Sequence, residues 1–269
     1  MVSDSDQGLT VQDLTIEQRG RTGSRRLVDD VTVRAQTGRI TLVVGESGCG
    51  KSLIAAAATG LIPAGLNAPG TVTVAGHTFA VGDTKTWRRL RGHRVGLVPQ
   101  SAIGSFTPVR TVGSQLRETV LRLHDDTSDP GAVLRALADP VELPRAALDL
   151  FPHELSGGLA QRAAIAAALA GKLTALVADE PTSALDPKLA EHVWRLLRDI
   201  ATDSGIAVLA ITHDIERAAA VADTAHVVRV GRIIAHVEPT ESHDLDLTDP
   251  YLHAFVTPMT PSHTTRSTS

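Results

Sequence analysis

Eight residues, Gly45-Glu46-Ser47-Gly48-Cys49-Gly50-Lys51-Ser52, have the Gly-x-x-x-x-Gly-Lys-Ser spacing that can wrap a polyphosphate. A polyphosphate needs several donors at short range, and glycines at 45, 48 and 50 let backbone N–H groups approach with no Cβ in the way. Lys51 would then put a point charge on the β- and γ-phosphates, and Ser52 would offer a hydroxyl to Mg2+. A helix starting here would aim its positive end at the anion. A second acidic group lies downstream, where Asp179 and Glu180 end the apolar run Ala175-Leu176-Val177-Ala178. A buried strand tip that sets Asp179 near Mg2+ and Glu180 near an attacking water is what phosphoryl transfer to water requires.

The flanking segments have the character needed to position these groups. Ile40-Thr41-Leu42-Val43-Val44 reads as a short buried strand, and Leu53-Ile54-Ala55-Ala56-Ala57-Ala58 as a helix that stops at Gly60 and Pro63. Upstream, Thr10 to Gln18 and Arg26 to Gln36 read as strands joined by a polar hairpin loop, Arg19 to Ser24, and Thr71 to Val74 adds another strand. Lys85 to Arg91 is a basic helical segment, read as a solvated face rather than a nucleic-acid footprint. Val95 to Val98 is a strand ending at Pro99-Gln100. The chain then runs as loop and broken helix to about Leu150, with Asp129-Pro130 and Asp139-Pro140 as breaks. Ile206 to Ile211 is a further strand, tipped by Thr212-His213. Taken singly, Glu180 could be a helix-start acid, His213 a strand-end histidine and Gln100 a turn residue.

At 269 residues the chain can form one domain with an inserted lobe. A net charge of −4 and 3% aromatic residues supply neither a basic field nor stacking platforms, so nucleic acid is not expected as a partner. One cysteine, Cys49, excludes an internal disulfide and a cysteine metal cluster, which suits a reducing compartment. Close to a helix start, its thiol is expected to be somewhat activated. Met1 to Gly8 lacks the pattern of a signal peptide, and the longest apolar run, near Leu53 to Leu66, is broken by Gly60, Pro63 and Gly65. Any membrane role must therefore pass through another chain.

Leu155-Ser156-Gly157-Gly158-Leu159-Ala160-Gln161-Arg162, leading into an alanine-rich helix, resembles the signature of the ATP-binding cassette (ABC) ATPases. Ser183-Ala184-Leu185-Asp186 resembles that family's D-loop and His213 its switch histidine, in the family's order, and the similarity spans about Val11 to Val256. The resemblance implies an α/β fold: a phosphate-loop (RecA-like) ATPase core, an antiparallel β subdomain and an inserted α-helical subdomain at about 101–160 that bears the signature. Residues 1–9 are expected to be disordered, 10–240 to form the ATPase domain, and 241–269 to be an extension whose tail, Thr257 to Ser269, is disordered.

The resemblance also implies ATP and Mg2+ as cofactors. Glu180, His213 and Gln100 would be catalytic, and Ser52, Gln100 and Asp179 would hold the metal. Gly45 to Ser52 would bind nucleotide in one subunit, while Ser156, Gly157, Gly158 and Asp186 would complete the site of a second ATPase subunit. That division has a physical basis, because one fold cannot aim both helix ends at one phosphate.

Phe151-Pro152-His153-Glu154, Gly104-Ser105-Phe106-Thr107-Pro108 followed by Thr111-Val112-Gly113, and Asp249-Pro250-Tyr251-Leu252-His253-Ala254 are similar to segments of peptide and nickel importers, and Ser52 to Gly65 to the nickel members. Membrane permeases and, indirectly, an extracytoplasmic binding protein would then be partners, at the cytoplasmic face of the cell membrane. A soluble ABC-type ATPase acting on an enzyme complex, a ribosome or nucleic acid is the alternative; a phosphate-loop kinase would not need the signature or His213. One departure stands out. Many relatives end the first strand with an aromatic residue that stacks on adenine, and here that position is Gln18, beside Arg19.

Overall fold

The computed structural model describes residues 7–20, 23–124 and 129–237. The C-terminal extension, including Asp249 to Ala254 and the tail from Thr257, lies outside the described residues.

Two sheets organise the chain. The first is antiparallel: β1 (Gln7–Gly20), β2 (Gly23–Gln36), β5 (Thr71–Val74) and β6 (His77–Ala80) run in the order β2-β1-β5-β6, with β4 (Leu66–Asn67) paired to β1. β1 starts earlier than the sequence suggests. Gln7 pairs with Gln36 and Leu9 with Ala35, so Gln7 to Leu9, expected in the disordered N-terminus, belong to the sheet, with Leu9 1% exposed in the core. The expected Arg19–Ser24 loop is also tighter, because pairing continues to Gly20 opposite Gly23.

The second sheet contains β3 (Ile40–Gly45), β7 (Val95–Val98), β8 (Ala175–Asp179), β9 (Ala207–Thr212), β10 (Thr224–Arg229) and β11 (Arg232–Val237), in the order β11-β10-β3-β9-β8-β7. Every pairing in it is parallel except β10 with β11. β3 and β9 are buried at every position because both faces are covered, which is why they read as unbroken apolar runs.

Alternation sends the side chains of these strands to two cores. Val43, Val177, Leu209 and Ile211 meet the antiparallel sheet and α1 (Lys51–Thr59). Leu42, Val44, Leu176 and Val208 meet α5 (Gly157–Ala168) and α6 (Pro187–Ser204). α6 has Asp186 as N-cap and Pro187 at its first position, and it buries Ala190, Val193, Trp194, Leu197 and Ile200 along one face. Each fully buried large apolar side chain of this kind contributes about 1.5–3 kcal/mol.

The basic segment forms α2 (Thr84–Leu90). Its Trp87 is fully buried, donates Nε1–H to the Val81 carbonyl at 2.9 Å and stands edge-on to Phe79, leaving Lys85, Arg88 and Arg89 exposed. The helical lobe holds α3 (Val112–Leu123) and α4 (Pro130–Ala138), capped by Thr111 and Asp129. α5 begins in this lobe and runs past residue 160 to pack against β7, so it belongs to lobe and core alike. A short α7 (Ile215–Ala219) follows β9.

Candidate nucleotide site

The phosphate loop leaves the C-terminal end of β3 and turns directly into α1. Gly45 has a φ of 155°, and a Cβ there would lie 2.2 Å from the Val228 carbonyl oxygen, so the residue is fixed by close approach to β10. Gly48 is the opposite case: its φ is 79°, yet a Cβ would meet nothing within 4 Å, because the loop opens there onto a cleft. α1 has Gly50 as N-cap and no side-chain cap, so its first-turn N–H groups face that cleft without a protein side chain to satisfy them. Lys51 is 6% exposed, and its Nζ donates to the Gly45 and Glu46 carbonyls at 2.7 and 2.8 Å. The ammonium therefore holds the loop in a curl while staying at its centre.

β8 delivers the two acids. Ser52 Oγ donates to Asp179 Oδ1 at 3.2 Å. Burial pushes the Asp179 carboxyl above its usual range; the Ser52 hydrogen bond opposes this, the Glu180 charge adds to it and Lys51 offsets part. A hydroxyl beside a carboxylate is a donor set that suits a hard divalent cation. Glu180 sits just past the strand with a φ of 50°, a costly conformation for this residue type, and its N–H donates to the Ile211 carbonyl of β9 at 2.8 Å. Its side chain is nearly buried and accepts from His213 Nδ1–H at 2.8 Å, while the His213 ring is 60% exposed. Gln100, exposed after β7, lines the same cleft, which has a volume of about 450 Å³.

The sequence-predicted residues therefore divide into two groups. Gly45, Glu46, Ser47, Gly48, Cys49, Gly50, Lys51, Ser52, Gln100, Asp179, Glu180 and His213 gather on the cleft or are hydrogen-bonded to residues that line it. Ser156, Gly157, Gly158 and Asp186 do not line it. Ser156 caps α5, accepting from the Leu159 N–H at 3.3 Å. A Cβ on Gly158 would lie 3.1 Å from Leu189 Cδ1, and one on Gly157 3.5 Å from Leu185 Cδ2. The signature thus lies against Leu185 and Leu189 of its own subunit and leaves Ser156 and Gly157 exposed.

Residues 28–183 match the ABC transporter family. A probable peptide ABC transporter ATP-binding protein of Sinorhizobium fredii is 35% identical over 87% of this chain and 71% of its own length. The chain belongs to the ABC transporter family.

Other relatives bear similar names. A peptide import ATP-binding protein of Brucella melitensis is 37% identical over 80% of this chain and 67% of its own. The oligopeptide transport ATP-binding protein OppD of Mycobacterium tuberculosis is 35% identical over 84% of this chain, which spans 38% of OppD. Among solved structures, the dimeric cassette MJ0796 bound to ADP and Pi superposes with a TM-score of 0.75 at 23% identity, covering 86% of this chain and 98% of that one. At that identity the likeness speaks to the fold alone.

Two aspects of this ABC ATPase differ from the sequence-based expectation. Cys49 is buried rather than activated: burial pushes its thiol up, outweighing the lowering by Lys51 and by backbone N–H groups. The outer wall of the cleft is formed by Arg25, Arg26, Leu27 and the Val230-Gly231 turn, and neither Gln18 nor Arg19 lines it. The signal that could have found Arg25 is hairpin register, since Gln18 stands directly opposite Arg25 on the neighbouring strand.

Proposed function

We propose that this chain is the ATP-hydrolysing subunit of an importer for peptides, working as one of a pair of ATPase subunits bound to membrane permeases at the cytoplasmic face. The observation that carries the reading is the division of the site: a phosphate cradle with Glu180 and His213 on one surface, and a second glycine-rich helix start, at Ser156, outside it. ATP bound at the cradle of one subunit would be completed by Ser156, Gly157 and Gly158 of another, with Asp186 beside them.

Within the cradle, α1 N–H groups and Lys51 bind the β- and γ-phosphates. Ser52 and Asp179 would hold Mg2+, with Gln100 on the open side; the ion neutralises charge on the phosphate oxygens. Glu180 orients the attacking water and accepts its proton, and His213 fixes the Glu180 carboxylate through Nδ1–H. Closing the pair on ATP and releasing it after hydrolysis would drive the permease. Among the described residues no helix is long and apolar enough to cross a membrane. The names of the relatives favour peptide import over action on an enzyme complex or a ribosome.

Disrupting the gene in its host should abolish uptake of a radiolabelled oligopeptide. A wild-type copy should restore uptake, and a Glu180→Gln copy should not. Undiminished peptide uptake in the disrupted strain overturns the assignment of cargo.

A further inference from the structure

We propose that Arg25, aided by Leu27 and Val230, is the grip on the nucleobase in this subunit, in place of an aromatic platform. The proposal rests on the reading above that triphosphate lies on the Gly45–Ser52 loop. With the phosphates there, the sugar and base extend along the same cleft, which Arg25, Leu27 and Val230 also line. Among the described residues none that lines the cleft is aromatic, so within them the base must find another flat partner. A guanidinium is planar and stacks on ring faces.

The two adjacent arginines differ in availability. Arg26 is engaged on both sides, by Glu17 at 3.3 Å and Asp29 at 2.9 Å, and Asp29 is bonded to Arg232 as well. Among the described residues, the Arg25 side chain has no hydrogen-bonding or ion-pair partner, and it is exposed at the cleft. Its plane is free to lie on a ligand.

Val230 supplies an independent observation. It occupies the two-residue turn between β10 and β11, where Asn or Asp before Gly is the relaxed choice, yet it is β-branched with a φ of 48° and 85% exposed. Such strain gathers where a side chain is needed for a ligand. The turn is tied to the phosphate loop, because the Gly231 N–H donates to the Cys49 carbonyl at 3.0 Å, and to β2, because the Asp29 N–H donates to the Gly231 carbonyl at 2.8 Å. Val230 is therefore held at a set place relative to the phosphates. A stacked guanidinium and apolar contacts do not read the edges of a base, so adenine and guanine should be held with similar affinity.

Titration calorimetry on the full chain with MgATP, MgGTP and magnesium tripolyphosphate tests this. Wild type should bind ATP and GTP within about threefold of each other. Arg25→Ala should weaken both by about tenfold and leave tripolyphosphate within about twofold. Arg25→Tyr should restore ATP affinity and Arg25→Lys should not. Val230→Asn, which suits the turn, should raise the melting temperature while weakening ATP several-fold. Equal losses for ATP and tripolyphosphate, or rescue by lysine, would make Arg25 a phosphate-binding charge and overturn the proposal, as would unchanged ATP affinity in a folded Arg25→Ala. If wild type binds none of the three ligands, the phosphate-site reading itself fails.

Discussion

The starts of α1 and α5 are both glycine-rich helix N-termini on the same chain, but they are finished differently. α1 begins behind Gly50 with no side-chain cap, and the nearest cation, Lys51, is curled into the loop. α5 begins behind Ser156, whose hydroxyl already accepts from the Leu159 N–H, and Leu155 before it is buried. A helix end attracts an anion most strongly when nothing in the protein satisfies its N–H groups. The first is therefore the end better suited to bind an anion in the single subunit. The second has its serine hydroxyl bonded within its own helix and, on the proposed pairing, would meet a phosphate only from a partner. Binding and turnover should then separate experimentally, the first belonging to one chain and the second to two.

The largest expected effect comes from Glu180→Gln, which touches neither helix end. It should leave ATP affinity intact and reduce steady-state ATPase of the assembled complex by about 10²–10⁴-fold. A variant that keeps more than about a tenth of the wild-type rate removes Glu180 from the chemistry. Ser156→Arg comes next. It should hold the isolated subunit's nucleotide affinity within about twofold while cutting turnover of the pair by at least about tenfold. A large affinity loss in the single subunit would put α5 in its own subunit's site and erase the contrast. The smallest effect is at Cys49, which lines the α1 side of the cleft. With its thiol raised by burial, maleimide labelling should be slow, and MgATP should slow it a further few-fold; equal rates with and without nucleotide would place the phosphates elsewhere.

Much of the α1 side was legible in the sequence, because a phosphate cradle must be built from a few adjacent residues. Gly45, Gly48, Lys51 and Ser52 carry their roles in their spacing, and the buried strand before them shows as an unbroken apolar run. The Glu180–His213 contact is of another kind. It spans 33 positions and exists because β8 and β9 are neighbours in register, with Asp179 opposite Ile211. Motif order suggested the two residues, and only the sheet supplies the 2.8 Å between them.

The outer wall was missed for the same reason. Arg25 is marked only by its pairing opposite Gln18, and Val230 lies in the turn of a strand pair, β10 and β11, with no unbroken apolar run to announce it. There His226 and His236, ring centroids 4.6 Å apart, interrupt the apolar pattern that would have marked a sheet edge. In Gln7 to Leu9 the polar composition outweighs a single apolar side chain, Leu9, which packs in the core between the two sheets.

α5 has a mechanical consequence of its own. Twelve residues of helix make a rod about 18 Å long, with its inner end lodged near β7 and its outer end carrying Ser156. Pivoting that rod by about 10° at the inner end sweeps the outer end through about 3 Å, the length of one hydrogen bond. A tilt that small would be enough to make or break a contact at Ser156, and it would be borne by the buried alanines Ala163, Ala164 and Ala166 along the rod. Small side chains let that face lie close against its neighbours, so the reach of Ser156 toward another subunit is set by how the whole rod is seated.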